Sequence, residues 1–282
     1  MTMRLKVVHR TGYLYDSKVA SSFNEARMTP LTDANQTTFA ATLKVNPNPW
    51  QITYRDYWGA TVTGFSLHQG HTRLALTAEC TVETHVTSPA PDALRATWAD
   101  IASQRIADDL SEFLEISPLT EPGGDLRAEA GRLRGQLSPH ETALALAGLV
   151  EREVRYVVGA TAVHTRAEDA WRAREGVCQD MAHLVAGALR TVGMPARYVS
   201  GYLHPQADPP INLAVTGESH AWVEWWAGDW YGFDPTNAIP YSDRHVVVAR
   251  GRDYRDVAPL SGVYAGGPTA AMFVDVDITR IA

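Results

Sequence analysis

Gly176-Val-Cys-Gln-Asp-Met-Ala-His-Leu-Val-Ala-Gly-Ala-Leu-Arg-Thr-Val-Gly-Met-Pro-Ala-Arg-Tyr-Val-Ser-Gly-Tyr202 reads as a helix that feeds a strand. Met181, Leu184, Val185, Ala188, Leu189 and Val192 recur at helical spacing and draw one apolar stripe. Gly193-Met-Pro195 stops the helix, and residues 196–202 follow as a strand. Upstream, Ser138-Pro-His-Glu141 marks another helix start, with Ser138 as cap, Pro139 at the first helical position and Glu141 closing a capping box. That helix is expected to run to about residue 154. Downstream, residues 219–226, 230–234, 246–249 and 272–278 read as strands. A helical half thus feeds a sheet-rich half, which makes this part α+β.

Residues 1–87 look different. Leu74, Leu76, Ala78, Cys80, Val82 and Val86 alternate with polar residues, as one face of a strand does. Shorter pieces precede it, separated by turn residues such as Asn46-Pro-Asn-Pro and Gln69-Gly70. Short strands at this spacing predict an antiparallel β-sandwich. Thr87-Ser-Pro-Ala-Pro-Asp92 reads as a linker, so two domains are expected, a β-sandwich over 1–87 and an α+β unit over 93–282. The α+β unit opens with a helical pattern over 94–115 and a Gly-rich loop over 120–125.

The chain has 282 residues, 45% hydrophobic and 20% charged, which excludes a disordered or collagen-like protein. Its longest apolar stretch, near 144–150, falls short of the run of about 18 residues that a spanning helix needs. No basic-then-apolar leader opens the sequence, so a cytoplasmic protein that does not enter membranes is expected. A net charge of -7 argues against a nucleic-acid partner. Assembly into a homo-oligomer stays open.

Cys178 opens the helix quoted above. Unpaired backbone N–H groups and the positive end of the helix dipole favour a thiolate there, and the Cys178 amide is placed to donate to an oxyanion. Cys80, on the apolar face of its strand, reads as a small buried hydrophobe. A nucleophilic thiol needs a base, and the base needs a group that fixes its tautomer. If Ala227-Gly228-Asp229 is a three-residue hairpin loop, Trp226 pairs with Trp230 and Asp234 becomes the same-face diagonal neighbour of His220. A two-residue loop would put them on opposite faces. His183 is a poorer base, being well round the helix from the thiol. Cys, His and Asp are also zinc ligands, but no paired-ligand spacing such as HExxH or CxxC accompanies them, and no cofactor is called for.

Gly176-Val-Cys-Gln-Asp180, residues 193–202, Ser219-His-Ala-Trp-Val-Glu224 and Phe233-Asp-Pro-Thr-Asn237 together resemble the bacterial transglutaminase-like superfamily. The opening β region and the stretch from His245 to Asp256 resemble that family's N-terminal domain and C-terminal continuation. The resemblance implies a papain-like core in which Cys178 is the nucleophile, His220 the base and acid, and Asp234 the orienting carboxylate. It also implies a second oxyanion donor, for which Tyr156 and Gln179 are the candidates. Trp171 and Trp222 are candidates for the cleft wall or the core, and the loop over 204–217 either lines the cleft or crosses the surface.

The implied activity is attack of a thiolate on the amide of a protein, a peptide or a small compound. Water then completes a protease or amidase reaction, or an amine completes a transglutaminase reaction. Transfer on a small γ-glutamyl compound is a further variant. From another class, a non-catalytic interaction module would use the sandwich to bind a partner, although the intact Cys, His and Asp count against it.

Overall fold

The computed structural model describes residues 2–87, 89–217 and 219–282, so Ser88 of the linker lies outside the described residues. The first six strands are β1 (Met3–Val19), β2 (Ser21–Thr29), β3 (Gln36–Asn46), β4 (Trp50–Arg55), β5 (Thr61–Leu67) and β6 (His71–Thr84). Helices α1 (Trp98–Ile101), α2 (Gln104–Leu110), α3 (Gly124–Arg134) and α4 (Pro139–Glu153) follow. Short β7 (Arg155–Tyr156), α5 (Ala167–Ala173) and β8 (Glu175–Gly176) lead into α6 (Cys178–Thr191). Then come β9 (Ala196–Leu203), β10 (Ala214–Gly217), β11 (Ser219–Trp226), β12 (Trp230–Asp234), β13 (Ile239–Pro240) and β14 (His245–Gly251). Helix α7 (Tyr254–Val257) and strands β15 (Leu260–Ala265) and β16 (Thr269–Arg280) complete the described elements.

Two sheets, ordered β10-β16-β1-β6-β3 and β15-β2-β5-β4, form the sandwich. Strands β10, β15 and β16, from beyond residue 87, thus share these sheets with β1–β6. The alternation of β16 fits a free edge of β1, which it covers from Leu5↔Arg280 to Tyr15↔Thr269, so the C-terminal part of the chain completes the N-terminal sheets. One face of the five-stranded sheet serves two cores. Toward one end, Leu74, Leu76 and Ala78 pack with Phe65, Leu67 and Met28 of the second sheet. Toward the other, Leu5, Val7, Cys80 and Val82 pack with Tyr198, Tyr202, Ala182 and Val246 of the α+β unit. The buried Gln36 side chain ties the two units further, donating to the carbonyls of Leu31 (2.7 Å) and Val247 (2.8 Å) and accepting the Val247 N–H (2.8 Å).

In the α+β unit, α6 is buried on nearly all sides and packs against the sheet β13-β12-β11-β9-β14. The capping box that starts α4 forms as expected, with Glu141 Oε2 accepting the Ser138 N–H at 3.0 Å. The helical pattern expected over 94–115 forms as separate short helices. Thr97 takes the Asp100 N–H (3.2 Å) and starts α1, while Ser103 sits at the start of α2, because short polar side chains compete with helix continuation. Among the described residues no helix is long and apolar enough to cross a membrane.

Candidate active site

Cys178 is the first residue of α6, preceded by Val177 in extended conformation. Asp180 holds this turn. Its Oδ2 accepts the Val177 N–H (2.8 Å) and the Thr161 hydroxyl (2.6 Å), while burial pushes its carboxyl above the ordinary value. Gly176 is required by that carboxylate, since an added Cβ would lie 2.9 Å from Asp180 Cβ. The Gly176 carbonyl accepts the Val157 N–H (2.9 Å), which brings the β7 end alongside the thiol.

The hairpin has the expected parity: Trp226 pairs with Trp230 across the loop Ala227-Gly228-Asp229. His220, at the start of β11, donates from Nε2 to Oδ2 of Asp234 at 2.7 Å, so Nδ1 is the nitrogen left for the thiol. Asp234 is fully buried. Its Oδ1 accepts the N–H groups of Thr236 (2.9 Å) and Asn237 (3.3 Å), and Oδ2 also accepts Asn237 Nδ2 at 2.7 Å. Burial works against the charge of Asp234, but these donors, led by His220, hold it far below the usual carboxylate range. For His220, burial likewise opposes the charged form. The hydrogen bonds to Asp234 and Cys178 overcome it and raise the imidazole to about 10.

Two supports of Asp234 escaped the sequence reading. Asn237 was visible only as part of a motif. His245 approaches Oδ2 with Nε2 at 3.7 Å, while its Nδ1 accepts the Ser242 N–H at 3.1 Å, which places the proton on Nε2. Nothing in the spacing of His245 relative to Asp234 signals this, because β13 and the turn after it set the approach.

Cys178, His220, Gln179 and Tyr156 line one cleft of about 300 Å³. Gln179 Nε2 donates to the Val163 carbonyl at 3.2 Å. The remaining expectations resolve by packing. Trp171 is not a cleft wall. It is buried in the helical core with Nε1 donating to Asp125 (2.8 Å), because it faces α6 from the inside of α5. Trp222 is not a wall either. It is fully buried among Val199, Val247 and Leu31 and stacks behind the His220 ring, centroids 6.3 Å apart, because β11 turns it under the imidazole. The loop over 204–217 lies along β16, where Ala214 pairs with Thr279, and contributes no residue to the cleft lining. His183 is buried with Nε2 accepting the Tyr254 N–H (3.1 Å), so its ring is engaged elsewhere. Cys80 is buried, and burial pushes its thiol up to about 12. Among the described residues no group of three or more His, Cys, Asp or Glu side chains is placed to hold a metal ion.

Residues 5–83 match the bacterial transglutaminase-like N-terminal region, and residues 127–235 match the transglutaminase-like superfamily. An uncharacterised protein of Mycobacterium leprae is 40% identical over 279 residues, covering 99% of each chain. A Mycobacterium tuberculosis protein, also uncharacterised, is 33% identical over 298 residues, covering 98% of this chain and 93% of its own. A protein-glutamine gamma-glutamyltransferase of Pseudomonas aeruginosa is 34% identical over 104 residues, 34% of this chain and 16% of that enzyme. The solved structure of a candidate cysteine protease from Cytophaga hutchinsonii shares the fold, with TM-score 0.78, 22% identity and coverage of 99% and 98%. By these two matched stretches, the chain belongs to the bacterial transglutaminase-like family.

Proposed function

We propose that the protein is a thiol-dependent amide-bond enzyme, a cysteine protease or amidase, with Cys178 as nucleophile, His220 as acid and base and Asp234 as its orienting carboxylate. The observation that carries this reading is the 2.7 Å bond from His220 Nε2 to a fully buried Asp234, with Cys178 in the same cleft at the start of α6. The Cys178 sulfur attacks the amide carbonyl, forming an S–C bond and an oxyanion. The Cys178 N–H, with Gln179 or Tyr156, meets that oxyanion. His220 Nδ1–H gives its proton to the departing amine as the C–N bond breaks. Water then adds to the thioester, His220 takes its proton, and the acid leaves as the thiolate is restored.

The test is iodoacetamide alkylation of Cys178 across pH, beside His220→Ala. Fast alkylation that persists well below the free-thiol value of about 8.5 and is lost in the variant supports the pair. An ordinary profile, unchanged by the variant, refutes it and favours a non-catalytic interaction module. Transfer of the acyl group to an amine is the second reading, favoured by the apolar lining of the cleft, which disfavours water. Supplying a primary amine and weighing the products separates the two reactions. A cytoplasmic location is part of the same proposal, and fractionation of cells tests it.

A further inference from the structure

The sandwich sheet does more than pack. Along the inner face of β1 the apolar series Leu5 and Val7 gives way to His9 and Thr11, and their partners on β16 are Ile278 for Val7, Val276 for His9 and Val274 for Thr11. Val276 and Ile278 are buried by the α+β unit, whereas Val274 and Met272 are 48% and 49% exposed although they lie on the same face. On β16 the face is uncovered beyond Val276, although His9 and Thr11 beside it on β1 are buried, and there it lines the cleft that holds Cys178 and His220. Val158 and Val163, 72% and 51% exposed, supply further apolar side chains to the same cleft.

No Asp, Glu, Lys or Arg is among the described residues that line this cleft. Asp275 and Asp277 of β16 lie on the outer face, where Arg10 binds them at 2.7 and 2.8 Å, and Arg280, at the far end of the strand, pairs with Asp208 at 3.3 Å. The Nδ1 of His9 faces the Tyr202 hydroxyl at 3.0 Å, and burial keeps the ring neutral by pulling it down to about 4. A charged side chain lying against Met272, Val274, Val158 and Val163 would meet apolar surface and no Asp, Glu, Lys or Arg of opposite charge. In the acyl-enzyme the part that stays tethered to the sulfur is the acyl chain, so the space beside Cys178 is the acyl chain's to fill.

We infer that Met272 and Val274 of the sandwich, with Val158 and Val163 of the same cleft, form an acyl-side subsite that takes an uncharged, apolar stretch of peptide. The sandwich is then a specificity element of the enzyme. This inference rests on the acyl-enzyme reading above.

The experiment uses the full chain and three probes, acetyl-Xaa-Gly chloromethyl ketones with Leu, Glu or Lys as Xaa. Labelling rates of Cys178 are read by mass spectrometry and divided by the iodoacetamide rate of the same protein. The Leu probe is expected to exceed both charged probes by about tenfold or more, the scale on which an apolar pocket discriminates. Val274→Glu, at an exposed position where folding is not at stake, is expected to remove that preference and favour the Lys probe. Met272→Lys is expected to favour the Glu probe, and each variant's probe rates are divided by its own iodoacetamide rate, so that a change in the thiol itself cancels. Equal rates for the three probes, or variants that leave their ratios unchanged, overturn the subsite while an activated thiol still stands. A wild-type iodoacetamide profile that matches His220→Ala overturns both readings.

Discussion

Glu224→Gln is expected to cost the fold about 3–5 kcal/mol, the scale for removing one partner of a buried ion pair. Glu224 is buried on β11 and accepts Arg197 of β9 at 2.5 Å and Arg250 of β14 at 3.0 Å. Arg250 reaches on to Asp33, before β3, at 2.8 Å. Burial opposes the Glu224 charge, but the two guanidiniums overcome it and hold the carboxyl at about 2, against an ordinary 4.5. At about 1.4 kcal/mol per tenfold change, that drop corresponds to about 3 kcal/mol of interaction with the charged form. A glutamine would leave two buried guanidiniums with Asp33 as their one remaining carboxylate.

Because the folded value lies below the unfolded one, the contribution is present above pH 4.5 and is lost as pH falls through about 2. Guanidinium denaturation of both proteins at pH 7 and pH 3 reads the gap, which should narrow at the lower pH. Replacing the cluster by Arg197→Met, Glu224→Leu and Arg250→Met together should come within about 1 kcal/mol of wild type, since apolar side chains of similar volume need no partners. A single-variant gap under about 1 kcal/mol at pH 7, or one that does not change at pH 3, would refute the reasoning.

Asp234→Asn should slow iodoacetamide alkylation of Cys178 at pH 6 by about 10²-fold or more, because the amide donates to His220 Nε2 and fixes the proton on Nδ1. Asn237→Ala removes one neutral donor to the same oxygen and should cost about 1 kcal/mol, so alkylation stays within about tenfold of wild type. Turnover of any amide substrate should persist above pH 7, where an ordinary imidazole has lost its proton, and fall as pH approaches the raised value of about 10 for His220; a pH–rate profile reads it. Gly187→Ala would place a Cβ 1.6 Å from the Thr120 carbonyl oxygen, and thermal unfolding should show a loss of about 3 kcal/mol.

Local chemistry was legible in the sequence wherever it was decided by neighbours. Ser138 and Glu141 announced their capping box, the stripe from Met181 to Val192 announced α6, and a three-residue loop fixed the parity of His220 and Asp234. Trp171 and Trp222 were less legible, because a large aromatic near a nucleophile fills a core or walls a cleft with the same composition. His245 and the wall of Met272 and Val274 were not legible at all. Their roles come from pairings between distant segments, which periodicity along the chain does not encode. The break in β1, where His9 and Thr11 follow Leu5 and Val7 on an apolar face, was the one local sign that the sheet changes neighbours there.

The closure of the sandwich by β16 sets an order of events during synthesis. Residues 3–19 emerge before the other elements of these sheets, yet one edge of β1 waits for residues 269–280. By then β9, β11 and α6 have left the ribosome, so the thiol and its imidazole can meet before the sheet beside them is whole. Such distant pairing is slow to form, and until it forms β1 offers an unpaired edge to other chains. Strand β16 thus covers that edge and delivers Met272 and Val274 to the cleft in one step, so a chain released before it would hold Cys178 and His220 in a cleft that lacks this wall.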